Sequence, residues 1–135
     1  MNYWLVKSDP ESYGWNELVK DKKTEWTGVR NYAARIHLKG MKKGDEVLFY
    51  HSNEGMDVVG ITKVSKEFFQ DPTTEDTAWV AVELTALKPL KKSVTLAEMK
   101  TKKELSNIGL IKIGRLSVMP LTKTEFDFIV KMGGK

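Results

Sequence analysis

The segment Glu25-Trp26-Thr27-Gly28-Val29-Arg30-Asn31 sets one large flat ring beside a glycine, a guanidinium and a carboxamide. In a polar, glycine-punctuated loop such a ring is free to stack on a nucleobase. A carboxamide beside it offers a donor and an acceptor for reading a base edge. A loop tryptophan can equally be a lid over the core, and the segment alone leaves both readings open. A second group, His51-Ser52-Asn53, follows the apolar run Val47 to Tyr50. It sits at a strand end, where a rigid scaffold often holds binding residues, although a histidine in a solvated turn fits the same pattern. His37 and His51 are the only histidines. They lie far apart in sequence with no acidic motif nearby, so neither a metal site nor a cofactor is expected.

The signatures of common enzyme classes are missing. The chain contains no Gly-x-Gly-x-x-Gly, no Gly-Lys-Ser/Thr phosphate loop, no Gly-x-Ser-x-Gly and no His-Glu-x-x-His. It also contains no cysteine, which removes thiol nucleophiles, thiolate metal sites and disulfide scaffolds together. The cations are unevenly spread. Between Arg30 and Lys43 stand Arg30, Arg35, Lys39, Lys42 and Lys43 with no acidic residue, and Lys88 to Lys103 carries six lysines against Glu98 alone. Acid gathers in Asp71 to Asp76. Such segregation produces a basic face suited to a phosphate backbone, with Arg115 a further candidate. An ordinary solvated surface is the competing reading. Aromatic and basic groups together are the equipment of a protein that binds single strands or flipped bases.

These residues must be positioned by a small fold. Tyr3 to Val6 reads as a first strand, stopped at Ser8-Asp9-Pro10, with no basic region ahead of it that would make it a signal peptide. Ser12 to Asp21 reads as a short amphipathic helix, Thr24 to Asn31 as a loop, and Tyr32 to Leu38 as a helix ended by Gly40. Strands are expected at Val47 to Tyr50, Asp57 to Val64 and Trp79 to Leu87, with Gln70 to Asp76 a surface loop. Trp4, Trp15 and Trp79 are expected in the core. Thr95 and Thr122, each three residues before a glutamate, have capping-box spacing and open two further helices, separated by a short strand at Leu116 to Pro120. The pattern predicts an α+β fold with a small, strongly curved mixed sheet or barrel flanked by short helices. The 135 residues suit one domain.

Four ordered motifs carry a family resemblance: Tyr3-Trp4-Leu5-Val6-Lys7-Ser8-Asp9-Pro10, Trp26 through Arg35, Gly44 through Ser52, and Arg115-Leu116-Ser117-Val118-Met119-Pro120-Leu121. Together they resemble the EVE domain over essentially the whole chain. The resemblance implies a pseudobarrel of the PUA-like superfamily, related to YTH and ASCH domains, whose side pocket takes a modified base flipped out of DNA or RNA. Carried onto this chain, it implies that Lys7, Ser8 and Asp9 form the floor and rim and that Trp26 is a stacking wall. Gly28 and Val29 would let the backbone approach, and Arg30 and Asn31 would give polar contacts. His51 and Ser52, with Leu116, Ser117 and Val118, would close the opposite side. Ile36 departs from the family pattern, where an asparagine is expected before His37, which weakens His37 as a site residue.

The expectation is a non-enzymatic, monomeric binder of modified bases, without a membrane segment and cytoplasmic, or nuclear in a eukaryote. The net charge of +4 and pI of about 9.2 agree with an anionic partner. Two alternatives stand beside it: a small enzyme using His51 and Asp9 as acid and base on a nucleotide or other small molecule, and an RNA-binding accessory domain that reads backbone and shape.

Overall fold

A computed structural model describes residues 1–134. Strand β1 (Tyr3–Ser8) lies parallel to β3 (Glu46–His51), and the chain between them supplies α1 (Trp15–Asp21), β2 (Lys23–Trp26) and α2 (Tyr32–Gly40). Two long antiparallel strands follow, β4 (Asp57–Gln70) and β5 (Val80–Thr95), then α3 (Leu96–Lys100), a 3-10 turn, α4 (Gly109–Lys112), β6 (Val118–Leu121) and α5 (Lys123–Met132). The six strands form one mixed sheet in the order β2-β5-β4-β3-β1-β6. Register shifts at several points along the β4–β5 pairing mark bulges, which bend and twist such a ribbon.

The centre of the sheet is apolar on both sides. Leu5, Leu48, Phe49, Leu84 and Met119 are fully buried, and α5 covers the sheet with Phe126, Ile129 and Val130. Thr95 and Thr122 each complete a capping box with the glutamate three residues on, as their spacing predicts. One buried carboxylate ties the start of the chain to the turn before β3. Asp45 accepts from the Trp4 indole Nε1, the Asn2 amide and the Lys42 amide, all at 3.0 Å.

Several expectations change. The segment Thr24 to Trp26 is edge strand rather than loop, paired with Val82 to Leu84 on β5. Lone polar side chains hide a strand whose pairing lies on its inner side. Strand β4 runs well past the expected end at Val64, because Lys66, Glu67 and Phe68 are exposed while backbone pairing continues to Gln70 opposite Val80, and β5 runs past Leu87, where Lys88, Pro89, Lys91 and Lys92 are exposed while pairing continues to Thr95 opposite Asp57. Pro89 is tolerated within β5 at a register shift opposite Gly60. Trp79 precedes β5 and is only partly buried. No helix among the described residues is long and apolar enough to cross a membrane.

Trp15 is seated on the sheet at Gly60, where a Cβ would stand 2.4 Å from the indole Cη2. The Gly60→Ala variant therefore must push the ring off its neighbour Phe49, centroid distance 5.6 Å. A loss of about 1–3 kcal/mol is expected from overpacking, read from the urea unfolding midpoint; unchanged stability would contradict this packing.

Candidate functional site

The end of β1 and the segment along and after β2 line a common cleft of about 450 Å³. Its walls come from Lys7, Ser8 and Asp9 at the end of β1, Ser12 and Tyr13 in the turn before α1, Thr24 to Arg30, and Ser117 ahead of β6. Asp9 shapes the bend. Its Oδ1 accepts from the Glu11 amide and its Oδ2 from Asn53 Nδ2, both at 2.9 Å, while its carbonyl accepts from the Ser12 and Tyr13 amides. The Ser8 hydroxyl donates to the Tyr13 carbonyl. Lys7 reaches across to donate from Nζ to the Gly114 carbonyl at 2.8 Å, and burial pushes its pKa down.

Trp26 lines this cleft although it is 9% exposed. Inside the fold its ring packs edge-on against Phe49, with centroids 5.7 Å apart at 85°. The indole is thus at once a core residue and a cleft wall. Both sequence readings of this tryptophan describe the same ring.

The segment that follows is fixed by Asp71, a fully buried residue of the loop between β4 and β5. Its Oδ2 accepts from the Gly28 amide at 2.8 Å and from Arg30 Nη1 at 3.0 Å. Its Oδ1 accepts from the Thr73 amide at 2.7 Å and hydroxyl at 2.6 Å. Burial alone would raise the carboxyl pKa, but the donated hydrogen bonds of Thr73, Gly28 and Arg30 outweigh it and hold the group at about 2. Gly28 has φ +80° with open space where a Cβ would stand, so it is the backbone conformation, not a clash, that calls for glycine. The sequence pattern places Asp71 in a surface loop, yet its side chain is buried. Its burial depends on pairing with residues more than forty positions away, which no local pattern reveals.

Five predicted site residues stand outside the lining. Asn31 is the N-cap of α2, its Oδ1 accepting from the Ala34 amide at 3.0 Å. His51 packs edge-on against Phe49 and accepts at Nε2 from the Trp15 amide at 3.0 Å, which caps the start of α1. Ser52 lines a separate hollow of about 300 Å³ that shares only Lys7 with the cleft. Leu116 and Val118 are core residues flanking Ser117. Val29 contributes to the wall but is 8% exposed and packs into the core. Ser12, Tyr13, Thr24, Glu25 and Thr27 line the cleft and were missed, since polar residues near a turn carry no distinctive signal. A larger cleft of about 670 Å³, between α5 and the β4–β5 ribbon, gathers none of the predicted residues.

Comparison with known proteins agrees with this architecture. The family model described as the EVE domain matches residues 2–132. The chain belongs to the EVE domain family. It is 35% identical to mouse thymocyte nuclear protein 1, covering 97% of this chain and 73% of that protein. Among solved structures, protein Atu2648 from Agrobacterium tumefaciens is similar with a TM-score of 0.96 at 42% identity, covering 99% of this chain and 94% of the other. Human THYN1 protein, solved in complex with 5-methylcytosine-containing DNA, has a TM-score of 0.89 at 32% identity, covering 100% of this chain and 99% of the other. The YTH domain of Zygosaccharomyces rouxii MRB1 protein, at 15% identity and a TM-score of 0.61, shares the fold. The expected PUA-like pseudobarrel is therefore this open, curved six-stranded sheet with its five short helices.

In this EVE domain the expected backbone-binding cations differ in availability. Arg30 is held by Asp71, by Thr73 Oγ1 at 3.1 Å and by its stacking on Trp79. Arg35 donates to the Ala78 carbonyl. Lys39, Lys42, Lys43 and Arg115 are exposed and form no ion pair among the described residues.

Because the Asp71 carboxyl is depressed from 3.8 to about 2, its contribution to stability is fully present above its unfolded pKa. It is lost as pH falls through the folded value, and amounts to about 2 kcal/mol. The Asp71→Asn variant should accordingly be about 2 kcal/mol less stable near neutrality, and the gap should close in strong acid. Urea midpoints at both pH values check this; a gap independent of pH would contradict it.

Proposed function

We propose that this EVE domain binds DNA or RNA as a monomer and recognises a modified nucleobase extruded from the strand into the cleft beside Trp26. The observation that carries the reading is the convergence of an aromatic wall with a polar rim in a cleft above the roughly 300 Å³ lower limit of small-ligand sites. Family membership supports it, since human THYN1 protein, similar over the whole of this chain, is solved with 5-methylcytosine-containing DNA. In this reading Trp26 stacks on the base. Ser8, Ser117 and backbone groups of Thr27 and Gly28 meet its polar edge, and the exposed lysines hold the phosphates.

Unstacking a base costs a few kcal/mol, to be recovered by the ring and the polar rim. A fully buried methyl group adds about 0.8 kcal/mol, close to fourfold in affinity. Preference for a methylated base is therefore modest unless the rim also rejects the plain one. The reading uses no acid–base pair. His51 stands outside the cleft lining with its Nε2 accepting from the Trp15 amide, and the Asp9 carboxylate accepts from the Glu11 amide and Asn53, so both have structural partners in this reading.

Since Trp26 is also core, Trp26→Ala would cost about 3–5 kcal/mol of stability and confuse folding with binding. The Trp26→Phe variant keeps an aromatic ring against Phe49 while shrinking the stacking surface. Wild type is expected to bind 5-methylcytosine or N6-methyladenine strands several-fold more tightly than matched plain strands, by fluorescence anisotropy. Trp26→Phe should weaken that binding by about two- to fivefold while remaining folded. Equal affinity of the wild type for every modified and plain pair would contradict the reading.

A further inference from the structure

The outer face of α2 carries groups that the cleft does not use. Tyr32 and Ile36, one helical turn apart, are 67% and 64% exposed. The guanidinium of Arg35 lies 4.9 Å from the Tyr32 ring centroid and 5.2 Å from that of Trp79. Its Nη1 donates to the Ala78 carbonyl at 3.0 Å, which holds the planar group in place. The Tyr32 and Trp79 rings are 5.3 Å apart and tilted by 33°. On Trp79 also rests Arg30, 5.6 Å from the ring centroid, and Arg30 lines the cleft. A continuous stack of guanidinium and aromatic groups therefore runs from the cleft rim to the exposed Tyr32 ring.

The geometry points to a second stacking site on Tyr32, Arg35 and Trp79, one that takes an unpaired nucleobase neighbouring the base in the cleft on the same strand. The inference rests on the reading of the cleft as a nucleic-acid site and extends it outward. Two features favour a base over other partners. The first is flatness combined with rigidity: the rings are already ordered by Arg35, so a planar partner finds a prebuilt platform. The second is charge. Arg30 is paired with Asp71, but from Arg35 to Lys43 there are four cations and no carboxylate, and Lys39, Lys42 and Lys43 among them are exposed. A strand whose phosphates follow these lysines brings its bases to the rings. A single strand carries a flat base on every phosphate-bearing unit, whereas an acidic peptide meets the same charge without a planar ring at each step. Because every base has a π-face, this platform is indifferent to base identity and to modification.

The test uses the full chain and a short single-stranded DNA carrying 5-methylcytosine, or plain cytosine, with the fluorescent base 2-aminopurine next to it. Binding is read by anisotropy and stacking by quenching of 2-aminopurine. Tyr32→Ala, at a largely exposed position, should leave the protein folded with at most a few degrees' loss in thermal midpoint, weaken binding to both strands by about tenfold and abolish the quenching. Tyr32→Phe should restore both, and the ratio of methylated to plain affinity should be unaffected. Wild-type affinity and quenching in Tyr32→Ala, with the methylated preference intact, overturn the platform and leave the cleft reading standing. Tyr32-dependent binding with no methylated preference in the wild type supports the platform and overturns the cleft reading. Absence of binding to either strand by the wild type overturns both.

Discussion

Asp71 is the point at which the sheet and the cleft are fastened together. A single buried carboxylate at the tip of the β4–β5 ribbon accepts from the Gly28 amide, the Arg30 guanidinium and the amide and hydroxyl of Thr73. It supplies the hydrogen-bond partner of the Gly28 amide, whose residue holds a left-handed conformation. A buried charge of this kind is tolerated only when its oxygens are fully satisfied, and here they are. Its consequences reach outward through Arg30, which lines the cleft on one side and rests on Trp79 on the other.

The division between scaffold and site follows from the aromatic arrangement beneath. Phe49, within β3, meets Trp15, Trp26 and His51 in steeply inclined ring contacts at centroid distances of 5.6, 5.7 and 5.6 Å. One ring thus positions the first helix, the cleft wall and the histidine that caps that helix. Under the proposed function, binding and stability would be coupled at Trp26 and separable at the rim, where Ser8, Thr27 and Ser117 touch the cleft without filling the core. This arrangement explains how a small EVE domain could present a rigid aromatic surface while using the rest of the ring to hold itself together.

Much of this was legible in the sequence, and the failures have physical causes. The capping boxes at Thr95 and Thr122, the helix after Asn31 and the strand Val47 to Tyr50 depend on neighbours within a few positions, and local chemistry announces them. The motif at Lys7-Ser8-Asp9 and the segment Trp26 to Arg30 do meet in one cleft. His51, Asn31 and Ser52 were attractive as polar groups at the right element ends, yet two of them are engaged in capping helices and the third faces a different hollow. Trp79 looked like a core strand residue because its neighbours are apolar. Only the three-dimensional approach of α2 shows it as a partner of Tyr32 and two arginines. Long-range polar pairing, as at Asp71, leaves no periodicity to read.

The central claim is that the cleft beside Trp26 receives an extruded modified base. A crystal structure of this protein with an oligonucleotide carrying one such base tests it most directly. The modified base is expected out of the helical stack, its plane against the Trp26 indole and its polar edge toward Ser8, Ser117 and the Thr27–Gly28 backbone. A complex in which that base remains stacked within the strand and the cleft is empty would contradict it.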